Sequence, residues 1–154
     1  MKFCHISIAY RFEVFYCFAV DCRLPQPVNH MEQIEIIEKK SRFIAYAGKI
    51  NSEDEAKAFI EEKISEHKKA RHVAFAYVLP NLEKCSDAGE PRGTAGLPLL
   101  NAIKRRELSG AVVVVVRYFG GILLGKGGLI RAYGKAAGLS LDTHTFIEAK
   151  ERME

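Results

Sequence analysis

The amino-acid sequence predicts one α/β or α+β domain in which helices stack on a single sheet. At 154 residues, 48% of them hydrophobic and 27% charged, the chain is long enough for one core and too short for two comfortable ones. Along the chain, segments whose apolar residues have the spacing of a strand are followed by segments whose apolar residues have the spacing of a helix. The resulting order of elements is ββαβαβα. The most informative stretch is the apolar run 111–116, which is followed by five glycines between Gly120 and Gly128.

The first 30 residues differ in composition from the rest of the chain. They contain no glycine, are rich in Phe, Tyr and Cys, and end in the stretch Leu24-Pro25-Gln26-Pro27. Because closely spaced prolines interrupt regular structure, residues 1–30 are predicted to form an atypical extension, either disordered or an extra strand. The main domain is predicted to occupy residues 31–142.

This domain opens with a hairpin and a helix. Alternating residues at 34–36 and an apolar run at 43–50 predict two strands, joined by a turn around residues 38–41. Ser52 followed by Glu55 is a capping box, in which the hydroxyl and the carboxylate each satisfy an otherwise unpaired amide. The first helix is therefore predicted to begin at this pair.

Two more strands and two more helices complete the predicted domain. Residues 71–79 form the third strand, and residues 81–96 are expected to be a loop. Pro98 suits the first turn of a second helix. The run 111–116 is too uniformly apolar for a half-exposed strand and predicts a centrally buried one. The glycine-rich loop then leads into the third helix.

The distribution of charge favours an anionic partner. The net charge is only +4, yet residues 91–135 contain eight basic residues and one acidic residue, Glu107. The basic triplet 104–106 is explained by a solvated helix face. Basic residues set among glycines in a loop are harder to explain by solubility alone, so an anionic partner is the working hypothesis.

Cysteine usage and hydropathy predict a cytoplasmic protein. The four cysteines show neither a CxxC pair nor zinc-ligand spacing to histidine, so they are interpreted as free thiols in a reducing compartment, with no metal and no cofactor. No apolar run reaches the length needed to span a membrane, and no signal-peptide cleavage site is evident. The cysteines are Cys4, Cys17, Cys22 and Cys85.

The glycine-rich loop has part of the spacing of a phosphate-binding P-loop. Gly120, Gly125 and Lys126 match that motif between a buried strand and a helix. Gly127, however, stands where a serine or threonine hydroxyl would hold magnesium. Nucleotide hydrolysis is therefore not favoured, and an anion site made by backbone amides remains an alternative.

A second loop, residues 86–96, carries two carboxylates that suit acid–base chemistry. The alternative is structural, with Asp87 in an Asx turn and Glu90 paired with Arg92 or capping a helix. His72, at the start of the third strand, has the same two interpretations. Convergence of His72, Asp87, Glu90 and Arg117 in one cleft would favour a functional site.

Taken together, these segments resemble the IMPACT family, to which the YigZ proteins of bacteria belong. The resemblance covers about residues 31–142, in order and with consistent spacing. The matching segments are Lys39-Lys40-Ser41-Arg42-Phe43-Ile44, Ala70-Arg71-His72, Ser86-Asp87-Ala88-Gly89-Glu90-Pro91, Gly93-Thr94-Ala95-Gly96-Leu97-Pro98, Val115-Val116-Arg117-Tyr118-Phe119-Gly120-Gly121-Ile122-Leu123-Leu124-Gly125 and Gly127-Gly128-Leu129-Ile130-Arg131-Ala132-Tyr133-Gly134.

The resemblance implies a fold like the second domain of ribosomal protein S5, a four-stranded sheet with helices packed on one face. Eukaryotic members resemble one another as translation regulators that bind a ribosome-associated activator, and nucleic-acid binding is the usual suggestion for prokaryotic ones. Many bacterial relatives carry a second, ferredoxin-like domain, which is expected to be absent here, with residues 143–154 forming a tail. Ala88 replaces the second aspartate of the family's acidic loop, which weakens any metal or acid–base role.

These observations lead to one main hypothesis and two alternatives. The main one is a non-enzymatic cytoplasmic module that acts in translation by binding RNA, the ribosome or a translation-associated protein. The alternatives are an enzyme acting on a phosphorylated or nucleotide-like small molecule, and a protein-interaction domain whose partner docks on the open face of the sheet. The candidate ligand-binding residues are His72, Asp87, Glu90, Arg117, Gly120, Gly121, Gly125, Lys126, Gly127, Gly128 and Arg131.

Overall fold

The computed structural model of the protein describes residues 33–143. The predicted extension, residues 1–30, lies outside them, as do all but the first residue of the predicted tail. The strands are β1 (Ile34–Glu38), β2 (Ser41–Lys49), β3 (His72–Leu79), β4 (Leu82–Ser86) and β5 (Ala111–Tyr118), and the helices are α1 (Glu53–Glu66), α2 (Gly96–Arg105) and α3 (Gly125–Thr143).

The described strands form one antiparallel sheet in the order β1-β2-β5-β3-β4. The α+β class is confirmed, but the predicted number of four strands is wrong, because the sheet has five. The extra strand, β4, lies within the stretch predicted as a loop. Its side chains are exposed or half-buried at the sheet edge, so no alternating pattern marks it, and pairing with β3 across the turn at residues 80–81 forms it.

The predicted central position of the valine-rich strand is confirmed. Residues 111–116 are fully buried, because β5 lies between β2 and β3 and is covered on both faces. Val113 and Val115 face helices α2 and α3, which pack together on one face of the sheet as predicted. The other valines of the run pack with Phe59 and Ile60 of helix α1 on the opposite face. Neither face of the sheet at β5 is therefore open to a partner.

Local signals place the hairpin and the first helix as predicted. The β1–β2 turn consists of Lys39 and Lys40, between the paired residues Glu38 and Ser41. In the capping box the Glu55 amide donates to Ser52 Oγ at 3.3 Å, and the Glu55 carboxylate accepts from the Asn51 amide at 2.7 Å. Both interactions satisfy amides at the helix start that lack an intrahelical partner.

Candidate functional site

The two glycine-containing loops are joined through a buried pair of charged side chains. Glu90 Oε1 accepts a hydrogen bond from Arg117 Nη1 at 2.7 Å and another from the Tyr133 hydroxyl at 2.8 Å. Glu90 is 8% exposed and Arg117 6% exposed. Since a buried charge is tolerated only when it is paired and hydrogen-bonded, this carboxylate ties its loop to β5 and to α3.

His72 lies beside this pair but is not bonded to it. Its Nδ1 is 2.9 Å from the carbonyl oxygen of Ala88, and because a carbonyl only accepts, Nδ1 carries the proton. Its Nε2 is 4.0 Å from Glu90 Oε1, which is too long for a hydrogen bond. The structure thus brings His72, Glu90 and Arg117 together, although they come from two strands and a loop.

Asp87 has a structural role at the start of helix α2. Its Oδ1 accepts from the amides of Ala95 and Gly96 at 3.1 and 2.8 Å, and its Oδ2 accepts from the amide of Gly93 at 2.9 Å. Burial acts to raise the pKa of Asp87, but these amides outweigh it and hold the pKa below its ordinary value. The expected pairing of Glu90 with Arg92, or its use as a helix cap, is wrong, because Asp87 caps α2 and Glu90 pairs with Arg117.

The Arg117 guanidinium lies close to two aromatic rings. Its central carbon is 5.7 Å from the ring centre of Phe43 and 5.6 Å from that of Phe119, within the range of cation–π attraction. Its Nε has no hydrogen-bond partner among the described residues. The charge that the sequence suggested for an anionic ligand is therefore directed at Glu90 and held in place by the rings.

The glycines of the loop before α3 allow a close approach to the β1–β2 turn. A Cβ atom on Gly120 would collide with the backbone carbonyl of Lys40. The Gly120 amide also donates to Ser41 Oγ at 3.3 Å. Gly121 and Gly125 adopt positive φ angles of 90° and 74°, which residues with a side chain rarely adopt. These three glycines are explained by backbone geometry without a phosphate.

The remaining predicted residues lie at the start of α3. Lys126 and Arg131 are exposed, and Gly127 and Gly128 lie in the first turn of this helix. Within residues 33–143, neither Lys126 nor Arg131 forms an ion pair. The loop just before them exposes three apolar side chains, with 47% of Phe119, 42% of Ile122 and 82% of Leu123 accessible.

A cavity of about 250 Å³ lies between the β1–β2 turn and helix α3. Its polar lining is mostly basic, and the one carboxylate, Glu38, lies 3.6 Å from Lys135 Nζ. Sequence reasoning missed Lys39 and Lys135 as residues of this cavity, although Lys39 lies in a family motif and Lys135 lies in the basic segment. The cavity is lined by Glu38, Lys39, Leu124, Gly128, Arg131, Ala132 and Lys135.

A second, larger cavity of about 560 Å³ lies between helices α2 and α3. Three half-exposed apolar side chains, Leu97, Ile130 and Leu139, line it together with the exposed Arg105. Arg106, also in the lining, is bonded to Asp142 through its Nε at 2.8 Å. This cavity has a mixed apolar and basic lining and shares Lys135 with the first cavity.

Neither a metal site nor a membrane span is found in the part of the chain that the structure describes. No three His, Cys, Asp or Glu side chains there could share a metal ion. No described helix is long and apolar enough to cross a bilayer. Cys85 is a free thiol, as predicted, and burial, helped by the nearby Asp87, raises its pKa. The other three cysteines lie outside the described residues.

Fold and site together define a class: an α+β domain in which two glycine-rich loops are tied by a buried Glu–Arg pair. The model of the Impact N-terminal domain matches residues 39–141, and the chain belongs to the IMPACT family. It is 45% identical over 126 residues to the IMPACT family member YvyE of Bacillus subtilis, covering 80% of this chain and 58% of the relative. It is 44% identical over 113 residues to YigZ of Escherichia coli, covering 70% and 53%.

Solved structures include a similar fold. A crystal structure of a hypothetical protein superposes with a TM-score of 0.72 at 39% identity, covering 75% of this chain and 59% of that one. The two-domain translational regulator Yih1 aligns with a TM-score of 0.48 at 26% identity, covering 75% and 48%, which is too little similarity for a functional conclusion. The chain spans little more than half the length of the curated relatives that it matches. The family resemblance found in the sequence is confirmed.

Proposed function

We propose that this domain is a non-enzymatic cytoplasmic module that acts in the regulation of translation by binding RNA. The binding site would be the basic surface, which we define as Lys39, Lys40, Lys126 and Arg131. Family membership supports the link to translation, because the family resemblance implies regulators of that process among its eukaryotic members. The side chains of the basic surface support RNA as the ligand.

The observation that carries this proposal is that Lys39 and Arg131 line one cavity from two distant segments. Neither forms an ion pair within residues 33–143, and the only carboxylate in the lining is already beside Lys135. Like charges brought together by a fold repel one another, and an anionic ligand removes this repulsion. A phosphodiester backbone supplies such charge at regular intervals.

An exposed aromatic ring beside the basic surface favours single-stranded RNA. Phe119 is 47% exposed, and the Arg117 guanidinium packs against its ring. Proteins that bind single strands combine a basic groove for the backbone with aromatic rings on which bases stack. Phe119 provides the second of these features within the glycine-rich loop.

The groups expected to perform acid–base catalysis are engaged in the fold to different degrees. Asp87 accepts three backbone amides, Glu90 Oε1 accepts two donors, and His72 Nδ1 is bonded to a carbonyl. A general base needs a free lone pair that reaches the proton it removes. Both oxygens of Asp87 are occupied, whereas the unprotonated Nε2 of His72 accepts no hydrogen bond from the described residues and supports the enzyme alternative. The size of the cavity beside Arg131 favours the alternative of a small phosphorylated ligand. Its volume is below the roughly 300 Å³ of common ligand sites and suits a phosphate group.

Fluorescence anisotropy with a labelled single-stranded oligouridine, over a series of KCl concentrations, tests the proposal. We expect binding that weakens steeply with salt, and Arg131→Ala should weaken it and reduce the log–log slope by about 0.7. Arg105→Ala, which removes an exposed charge from the other cavity, is the matched control and should bind normally. Absence of binding at low salt would refute the proposal. A thermal-shift response to one nucleotide or sugar phosphate, lost in Arg131→Ala, would favour the small-molecule alternative.

A further inference from the structure

The β1–β2 turn has a backbone conformation that its residues do not favour. Lys39 and Lys40 have positive φ angles of 46° and 65°, and the flanking residues Glu38 and Ser41 pair directly. Two central residues with positive φ define the type I′ hairpin turn, for which Asn-Gly is strongly preferred. A residue with a bulky side chain is disfavoured in this conformation by contact between its Cβ and the following carbonyl oxygen. Turn stability therefore does not explain two lysines here.

The glycine-rich loop holds this turn in place. The Gly120 backbone packs directly on the Lys40 carbonyl, and the Gly120 amide donates to Ser41 Oγ. A disfavoured conformation persists when the surrounding structure determines it, and such positions cluster at binding sites. The turn and the loop are thus one packed unit, and the lysine side chains extend from it.

The two lysine side chains make no polar contact within the described fold. Both are exposed, and neither forms an ion pair or a hydrogen bond with another residue of the range 33–143. Lys39 lines the basic cavity opposite Arg131, while Lys135 in the same lining is paired with Glu38. Charge is therefore the property of Lys39 and Lys40 that the fold leaves unexplained.

We propose that Lys39 and Lys40 form a preorganised clamp for the phosphodiester backbone of single-stranded RNA. Because the turn is held by Gly120, the two ammonium groups are presented without a loop having to be ordered on binding, and this lowers the entropic cost of association. The clamp continues into the cavity, where Arg131 holds a neighbouring phosphate. This inference rests on the proposed function and gives two residues of its basic surface, Lys39 and Lys40, a specific role as phosphate contacts.

The conformation of the turn allows a test in which stability and binding move in opposite directions. The double variant Lys39→Asn with Lys40→Gly has the preferred turn sequence, so its thermal midpoint should rise by roughly 4 °C or more. Its affinity for the labelled oligouridine should fall several-fold, and its salt slope should decrease by about 1.4, the value for two lost contacts. Lys39→Arg with Lys40→Arg keeps both charges and should bind as the native protein does.

Two further variants separate charge from backbone effects. Lys39→Gln with Lys40→Gln removes the charges without improving the turn, so it should lose affinity with no gain in thermal midpoint. Lys104→Gln with Arg105→Gln removes two adjacent charges at the end of α2 and should bind normally. If the Asn-Gly variant binds as tightly as the native protein while Arg131→Ala binds weakly, the clamp is refuted, and RNA binding through the rest of the basic surface stands. If the native protein binds no RNA, both fail.

Discussion

Arg117 and Glu90 are 27 positions apart in the sequence and form a buried ion pair, with 2.7 Å between Nη1 and Oε1. Both side chains are at least nine-tenths buried, so the charge of each depends on the other for compensation. The Tyr133 hydroxyl donates to the same carboxylate oxygen, and its burial raises the pKa of this phenol far above the ordinary value. Tyr133 therefore remains a neutral donor, and three elements are held at one point.

Replacing Glu90 by glutamine should destabilise the domain strongly. The substitution leaves the buried Arg117 charge without a counter-ion, and the free energy of unfolding should fall by about 3 kcal/mol. Urea denaturation followed by circular dichroism measures this change. Glu83→Gln, which removes the partner of an exposed Lys104 pair, is the control and should cost less than about 1 kcal/mol. Equal losses in the two variants would contradict a structural role of the buried pair.

Gly120 should tolerate no side chain, whereas Gly127 should. A Cβ on Gly120 collides with the backbone of Lys40, and backbone cannot move aside as a flexible side chain does. A Cβ on Gly127 would lie 3.7 Å from Arg131 Nη1, an ordinary contact, and alanine is favoured over glycine within a helix by about 1 kcal/mol. Thermal unfolding should therefore show a much lower midpoint for Gly120→Ala and little or no change in midpoint for Gly127→Ala. Similar midpoints would show that the loop does not hold the turn.

Phe119→Ala should weaken RNA binding without changing its salt dependence. Loss of one stacking contact costs about 1–3 kcal/mol, and no charge is removed, so the slope of affinity against salt stays the same. Anisotropy titrations with the labelled oligouridine at several salt concentrations measure both quantities. Ile122→Ala, at an exposed apolar position of the same loop, is the control and should bind normally. A reduced slope in Phe119→Ala would show that the ring acts through the charges around it.

The capping role of Asp87 predicts a specific loss of stability in acid. Because its pKa is lowered in the folded state, Asp87 stabilises the fold above its ordinary pKa of 3.8, and this contribution is lost as pH falls through the folded value. Asp87→Asn should therefore be less stable than the native domain at neutral pH by about 1–3 kcal/mol. Urea unfolding at decreasing pH should show the difference shrinking below pH 3.8. A difference that is constant with pH would contradict the role of the ionised carboxylate.

The elements predicted correctly are those that a local pattern specifies. The uniform burial of residues 111–116 follows from their composition, and the capping box places the start of α1. Strand β4 was missed because its side chains lie at an exposed edge, where apolar alternation is not required. The sequence also did not indicate which face of the sheet α1 covers, because β5 has valine side chains on both faces.

The sequence predicted which residues belong to the candidate site but not how they contact one another. The sequence singled out the loops that contain Asp87, Glu90 and Arg117, but their contacts depend on neighbours that are distant in the chain. Asp87 accepts amides at the start of a helix, and Glu90 pairs across the domain instead of with Arg92. Lys39 and Lys40 lie in a family motif, but no role was predicted for them, because their unusual φ angles are visible only in three dimensions.

The class of fold, the buried strand, the glycine-rich loop and the family could therefore be predicted from the sequence. These follow from periodicity, composition and motif order, which are local or linear properties. Only the three-dimensional structure shows that β5 lies between β2 and β3, and that Gly120 packs on the β1–β2 turn. It also shows that Lys39 and Arg131 line one cavity. Such contacts join segments that are far apart in the chain, so strand order and backbone packing, not neighbouring residues, determine them.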